Sequence, residues 1–364
     1  MTDDRTRLRD LPLVLRADAS TEGGTGHMMR TFALTQAWLD GGGRATWLVA
    51  DAPALLLDRI EREGVEIVRL ASPVASIEDA SAVRETLARD ATAMAVVDGP
   101  EFGIAYLDAL DGVAARVLVI DDRADRPVYP VGFLLTPNAH ADRAAYPADA
   151  TCRFLLGTHY TLLRREFVPA PPPRSTAPVA RHLLVTFGGA DPTGMTARTL
   201  MALRRLPEAL RSTILVRVIV GAANADGPHI DAAVARPDLG FQAVVERAVD
   251  DMPSQMAWAD LAITSGGSTV WELARTGCPA LVVETVPVER LLVSGLARVG
   301  LFGHLGPETE LDEREVADEI AAKAEDVAWR ATMSALGMRL IDGQGARRVA
   351  DALADGSSVD EEQI

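Results

Sequence analysis

Leu13-Val14-Leu15-Arg16-Ala17-Asp18-Ala19-Ser20-Thr21-Glu22-Gly23-Gly24-Thr25-Gly26-His27 runs from an apolar stretch into a polar, glycine-rich turn. A segment of helical period follows, in which Met29, Phe32, Ala33 and Ala37 recur at spacings of three to four and give one apolar face. Strand, glycine turn and amphipathic helix together form the opening unit of a doubly wound α/β sheet, and such sheets bind ligands at the carboxyl ends of their strands. The glycines let the backbone turn tightly and leave space for a substrate.

The pattern repeats outward from this unit. In the first half, strands are expected at 13–17, 46–50, 65–70, 93–98 and 116–120, with helices at 27–39, 54–63 and 76–89. The strands are near-continuously apolar, as in parallel sheets covered on both faces. Pro169-Ala170-Pro171-Pro172-Pro173 cannot be helix or central strand and reads as a stiff spacer. A second series then begins, with strands at 182–187, 214–220, 243–245, 260–264 and 280–284 and helices at 195–205 and 268–276. The expected organisation is α/β with two Rossmann-like domains, their parallel sheets facing an interdomain cleft that holds the ligand. Residues 1–168 form the first domain, 169–181 the linker, 182–350 the second domain and 351–364 an acidic tail.

Composition narrows the function. With 364 residues, 48% hydrophobic and 24% charged, the chain is ordinary globular material of about two domains. A formal net charge of −16 disfavours nucleic-acid backbones, which need clustered Lys and Arg. It leaves room for a small anion at a helix N-terminus. No apolar run reaches the roughly 18 residues that span a bilayer, and the charged start followed by a short apolar stretch at 11–15 does not make a leader. The expectation is a cytoplasmic protein without membrane or nucleic-acid partners, its oligomeric state open. Cys152 and Cys278 make neither a disulfide framework nor a cysteine zinc site. Asp121-Asp122-Arg123-Ala124-Asp125 reads as a charged loop after a strand and not as a metal site, so neither metal nor cofactor is expected.

Three loops carry chemistry. His27 opens the first long helix, where the helix dipole favours the neutral imidazole that a general base needs; a capping or packing histidine fits the same position. Arg30, three residues on, reaches the same face or lies on a solvated one. Phe187-Gly188-Gly189-Ala190-Asp191-Pro192 turns from strand to helix, as anion-binding turns do, without a dinucleotide or P-loop pattern. Thr264-Ser265-Gly266-Gly267-Ser268-Thr269-Val270-Trp271-Glu272 offers backbone N–H groups at Gly267, Ser268 and Thr269 and two hydroxyls, a pyrophosphate cradle. Glu272, one turn in, is placed to hold a ribose diol; an ordinary capped helix with an acidic first turn gives the same string. Asp98 ends a strand as a cleft acid or a turn residue.

Taken in order, these loops resemble those of the PseG/SpsG-type nucleotide-sugar hydrolases, relatives of MurG-like GT-B glycosyltransferases. Arg16-Ala17-Asp18-Ala19-Ser20, Gly24-Thr25-Gly26-His27-Met28-Met29-Arg30 and Ile120-Asp121-Asp122-Arg123-Ala124-Asp125-Arg126-Pro127 carry the likeness in the first half, with Leu155-Leu156-Gly157-Thr158-His159-Tyr160. Gly188-Gly189-Ala190-Asp191-Pro192, Gly266-Gly267-Ser268-Thr269-Val270-Trp271-Glu272 and Asp342-Gly343-Gln344-Gly345-Ala346 carry it in the second. The resemblance implies a GT-B fold and metal-independent, inverting cleavage of the anomeric C–O bond of a UDP-linked amino or deoxy sugar. His27 would act as base on water, with Asp18 and Asp98 as the other catalytic candidates. Gly26, Arg30, Gly188, Gly189, Gly266, Gly267, Ser268, Thr269 and Glu272 would hold the nucleotide and phosphates. Where the family has a tyrosine near Asp98, this chain has Gly99-Pro100-Glu101-Phe102; for the family's glutamate-asparagine-glutamine run it has Val286-Pro287-Val288-Glu289-Arg290. Glu101 and Glu289 are therefore the candidates for the sugar pocket. The alternative is a glycosyltransferase with the same machinery, His27 activating an acceptor hydroxyl or amine.

Overall fold

The computed structural model describes residues 8–19, 24–172, 174–221, 223–247 and 249–355. Ser20, Thr21, Glu22 and Gly23 of the first glycine turn, Pro173 of the spacer and residues 356–364 of the expected tail lie outside the described residues. The chain divides into two compact units: Met1–Ser20, His27–Arg165 and Gly343–Ile364 form unit 1, and Thr21–Gly26 with Glu166–Asp342 form unit 2.

Unit 1 contains β1 (Pro12–Ala17), α1 (Gly26–Asp40), β2 (Arg44–Val49), α2 (Ala54–Arg62), β3 (Glu66–Arg69), α3 (Ile77–Ala88), β4 (Met94–Asp98), α4 (Ile104–Asp108), β5 (Val117–Ile120), β6 (Phe133–Thr136) and β7 (Arg153–Leu156). Its seven strands are parallel, in the order β3-β2-β1-β4-β5-β6-β7. Alternate residues of β1 feed two cores. Leu13 and Leu15 pack with Phe32 and Trp38 of α1, while Val14 packs with Val83 of α3 and Leu107 of α4. Burial on both faces explains the apolar run that replaces strict alternation. The strand order reverses between β1 and β4, so the loops leaving these strands part and open a crevice.

Unit 2 contains β8 (His182–Thr186), α5 (Met195–Leu203), α6 (Glu208–Arg211), β9 (Leu215–Val220), α7 (Gly227–Val234), β10 (Gln242–Arg247), α8 (Met252–Trp258), β11 (Leu261–Ser265), α9 (Thr269–Thr276), β12 (Ala280–Glu284), α10 (Glu289–Arg298), β13 (Gly303–Pro307), α11 (Glu313–Glu325) and α12 (Val327–Leu340). Its six parallel strands run β10-β9-β8-β11-β12-β13, reversing between β8 and β11. The last helix, α13 (Gly345–Asp355), belongs to unit 1.

Two expected boundaries move. The division falls between Arg165 and Glu166, so the proline-rich stretch is part of unit 2 and not a free spacer. Buried Arg275 donates to the carbonyls of Phe167, Val168 and Pro169 at 2.8–2.9 Å, and Arg330 donates to Ala177 at 2.8 Å. These arginines satisfy the acceptors of a segment poor in N–H donors. Likewise, the second domain does not run to residue 350, and 351–355 are helix, not tail. Val349, Ala350 and Leu353 of α13 lie in the core that holds Leu13 and Phe32. Gly345 sits so tightly on the Thr161 backbone that a Cβ there would collide with it. No helix among the described residues is long and apolar enough to cross a membrane.

Candidate functional site

Each unit brings candidate residues to its own switch point. In unit 1, His27 stands in the first turn of α1 and Asp98 at the carboxyl end of β4, the neighbour of β1 across the strand-order reversal. His27 Nδ1 lies 2.8 Å from Asp98 Oδ1. Arg30 Nη2 lies 3.1 Å from the same Nδ1; in the tautomer that donates from Nδ1 to the carboxylate, Nε2 keeps its lone pair. The His27 side chain is 33% exposed while Asp98 is fully buried. The pair therefore sets a partly exposed imidazole on a buried carboxylate.

Arg30 grips the same carboxylate from the next helical turn. Its Nε donates to Asp98 Oδ2 and its Nη2 to Asp98 Oδ1, both at 2.6 Å, and Thr31 Oγ1 adds a bond at 3.0 Å. Burial alone pushes Asp98 up, but Arg30 and His27 outweigh it and hold the carboxyl far below the usual carboxylate range. Asp98 thus stays ionised at neutral pH. The guanidinium's remaining nitrogen, Nη1, donates to Asp122 Oδ2 at 2.6 Å, and Asn138 donates to Asp122 Oδ1 at 2.6 Å. Arg30 thus bonds two carboxylates, Asp98 and Asp122, within unit 1.

Asp18 differs from expectation. Its Oδ1 accepts from the N–H groups of Ala50 and Asp51 at 2.8 and 3.2 Å, tying the end of β1 to the end of β2. Its Oδ2 lies 2.8 Å from Nη1 of Arg16, a fully buried arginine that also makes a bidentate pair with Asp79 at 2.7–2.8 Å. Tyr106 donates to Asp79 at 3.1 Å. Asp18 thus ties the loop through Oδ1, while Oδ2 is buried beside Arg16 without a hydrogen bond among the described residues. Glu101 is exposed, its carboxylate folded over Gly99, where a Cβ would collide with it.

The two glycine turns of unit 2 flank the reversal between β8 and β11, and they are not equivalent. After β8, Gly188 takes φ +70° and the turn packs on Gly221, whose hypothetical Cβ would strike the Gly188 and Gly189 carbonyls. A Cβ on Gly189 would collide with Thr25 Oγ1. Asp191, buried, accepts from Met195 and Thr196 N–H at 2.8 and 2.9 Å and so fills the N-terminus of α5 with the protein's own carboxylate. The glycines Gly188 and Gly189 remain, but the helix end behind them is already capped.

The turn after β11 is open. No side chain caps α9, and among the described residues the N–H groups of Gly267, Ser268 and Thr269 have no acceptor. Ser268 is exposed, and Gly267 and Thr269 are half-buried. Three undirected donors at a helix N-terminus form an anion site. Gly266 is required there, because a Cβ would strike Val293 Cγ2 of α10. Glu272 is half-buried in the first turn of α9. Glu289, at the start of α10, accepts at Oε2 from Thr285 N and Oγ1 at 2.7 and 3.0 Å. Burial raises its pKa against the opposing hydrogen bonds. It braces the turn, so at most one of its oxygens is left for a sugar.

Sequence reasoning missed Asp122, Asn138 and the Arg16–Asp79 pair. Asp122 stood inside a motif read as a charged loop, and nothing local connects it to Arg30 across 92 positions.

Residues 186–288 match the glycosyltransferase family 28 C-terminal domain, a span that holds both glycine turns and Glu272. The chain is 26% identical over 213 residues to the spore coat polysaccharide biosynthesis protein SpsG of Bacillus subtilis, covering 58% of this chain and 61% of SpsG. It is 30% identical over 185 residues to the UDP-N-acetylglucosamine--N-acetylmuramyl-(pentapeptide) pyrophosphoryl-undecaprenol N-acetylglucosamine transferase of Methylococcus capsulatus, covering 48% of this chain and 49% of that one. The chain thus spans under two thirds of the length of either relative. Among solved structures, MurG of Acinetobacter baumannii superposes with a TM-score of 0.64 at 15% identity, covering 95% of this chain and 99% of that one. With its two all-parallel Rossmann-type sheets and this likeness along nearly its whole length, the chain has a GT-B fold.

Proposed function

We propose that the protein is a nucleotide-sugar enzyme that moves a sugar from a nucleotide diphosphate to an acceptor hydroxyl or amine, with His27 as general base. The observation that carries this reading is the His27–Asp98 pair, a partly exposed imidazole held 2.8 Å from a buried carboxylate at the switch point of unit 1. Nε2 takes the acceptor proton as the acceptor attacks the anomeric carbon, and the C–O bond to the diphosphate breaks on the opposite face, inverting the centre. Asp98 stabilises the imidazolium that forms. Charge that builds on the departing diphosphate is met by the N–H groups of Gly267, Ser268 and Thr269, with Glu272 on the ribose. A positioned base contributes about 10²–10⁴-fold, and preorganised donors at the developing charge contribute the larger share. In this reading Asp18 and Arg30 are support, Gly26, Gly188 and Gly189 give close backbone approach, and Glu101 lies beside the sugar.

Hydrolysis, with water in place of the acceptor and UDP as the leaving group, is the second reading. It is favoured by the Gly24-Thr25-Gly26-His27 loop, which resembles that of the nucleotide-sugar hydrolases. The test is product analysis on a panel of nucleotide diphosphate sugars. Nucleotide diphosphate release that requires an added acceptor supports transfer, and free sugar released without one supports hydrolysis. Absence of turnover together with absence of UDP binding overturns both.

A further inference from the structure

Asp122 adds a second carboxylate to the charged groups around His27. Asp98 from β4 faces His27 directly, and Arg30 from α1 covers both oxygens of that carboxylate, its Nη2 also lying 3.1 Å from His27 Nδ1. Were these the only groups, one positive charge would cancel one negative charge, and the imidazole would face a neutral pair. Asp122, in the loop after β5, supplies the second carboxylate at 2.6 Å from Arg30 Nη1. From the loop after β6, Asn138 fixes its other oxygen at 2.6 Å, and His140 Nε2 lies 2.8 Å from the Asp122 carbonyl. These groups come from the carboxyl ends of β4, β5 and β6, three successive strands of the sheet, and from α1.

We propose that Asp122 is the positioning residue of the base: it neutralises Arg30, so that the charge of Asp98 remains available to the imidazolium of His27, and with Asn138 it holds the guanidinium in the orientation that presents Asp98. The proposal rests on His27 acting as base, and it adds the group that sets how strongly His27 holds a proton. Arg30 explains how a fully buried carboxylate stays ionised, and Asp122 explains how it does so without losing its field at His27. A charge several ångströms away, partly screened, moves a titration by on the order of one pH unit or less.

The test is a proton NMR titration of the imidazole signals in the full chain without substrate, with His27 assigned by the signal lost in His27→Gln. In Asp122→Asn the His27 midpoint is expected to move to lower pH by about half to one unit, and Asp122→Glu, which keeps the charge, should restore most of it. An unchanged midpoint in Asp122→Asn overturns the proposal, as does an equal fall in Asp122→Glu, which would mark loss of packing instead of loss of charge. Because no substrate is present, this result stands apart from turnover. An enzyme inactive on every nucleotide sugar would defeat the functional reading while leaving the titration to decide the role of Asp122.

Discussion

The two switch points are built from different materials. In unit 1 the reversal between β1 and β4 is furnished with side chains, where His27, Arg30, Asp98 and Asp122 form a chain of charges 2.6–2.8 Å apart. In unit 2 the reversal between β8 and β11 is furnished with backbone, glycines and hydroxyls, and of its carboxylates Asp191 caps α5 and Glu289 is turned to brace the loop. Moving a proton needs a group whose charge changes and a fixed field to set when it does. Holding an anion needs donors that cannot change charge and cost nothing to orient. One architecture supplies both, because a doubly wound sheet opens its crevice at the strand reversal whatever residues line it.

This contrast can be broken experimentally. The largest effect is expected from His27→Ala, which should lower turnover by about 10²–10⁴-fold while leaving UDP affinity, measured by calorimetry, within about twofold. A matching loss of affinity would erase the distinction between the switch points. Arg30→Ala comes next. It strips the buried Asp98 of its partner, and removing one member of a buried pair costs about 3–5 kcal/mol, visible as a fall in melting temperature. Burial raises the Asp98 pKa, and Arg30 and His27 more than reverse that, so the net folded value is depressed. Stability contributed by a depressed carboxylate is complete above its unfolded pKa and is lost as pH falls through the folded one. The melting gap between wild type and Asp98→Asn should therefore be full at neutral pH and narrow in acid.

For unit 2, Gly266→Ala should weaken UDP binding about tenfold, because the added Cβ would strike Val293 and displace the N–H groups that follow. Equal weakening by Gly194→Ala, in the turn whose helix end Asp191 already caps, would show that general distortion and not the open donors is being measured. The smallest effect belongs to Glu289. Burial raises its pKa, so a diphosphate beside it binds better as pH falls and the carboxylate takes up a proton. Glu289→Gln should bind UDP a few-fold more tightly at neutral pH and show a flatter pH dependence.

Much of this was legible in the chain itself. The apolar strands, the two glycine turns and the helix that starts at His27 follow from local pattern, and their expected bounds differ from the structure by one or two residues at most ends. β6 and β7 were not legible, because four apolar residues such as Phe133-Leu134-Leu135-Thr136 show no period and become strands only by pairing with β5 and with each other. The membership of α13 in unit 1 was hidden for the same reason, since its apolar face says that it packs but not where. At the site, His27 and Asp98 were readable as strand-end and helix-start residues. Their contact, the engagement of Arg30 with Asp98 and Asp122, and the tie of Asp18 to the N–H groups of Ala50 and Asp51 depend on residues 32 to 92 positions apart.

The central claim is that the exposed nitrogen of His27 performs the proton transfer and the turn after β11 holds the leaving group. Nucleotide diphosphate release in a single turnover, with enzyme in excess over a bound nucleotide sugar, separates the two directly. The account predicts that His27→Ala binds the sugar nucleotide fully and releases the diphosphate at least a hundredfold more slowly. Release at the wild-type rate from His27→Ala would contradict it.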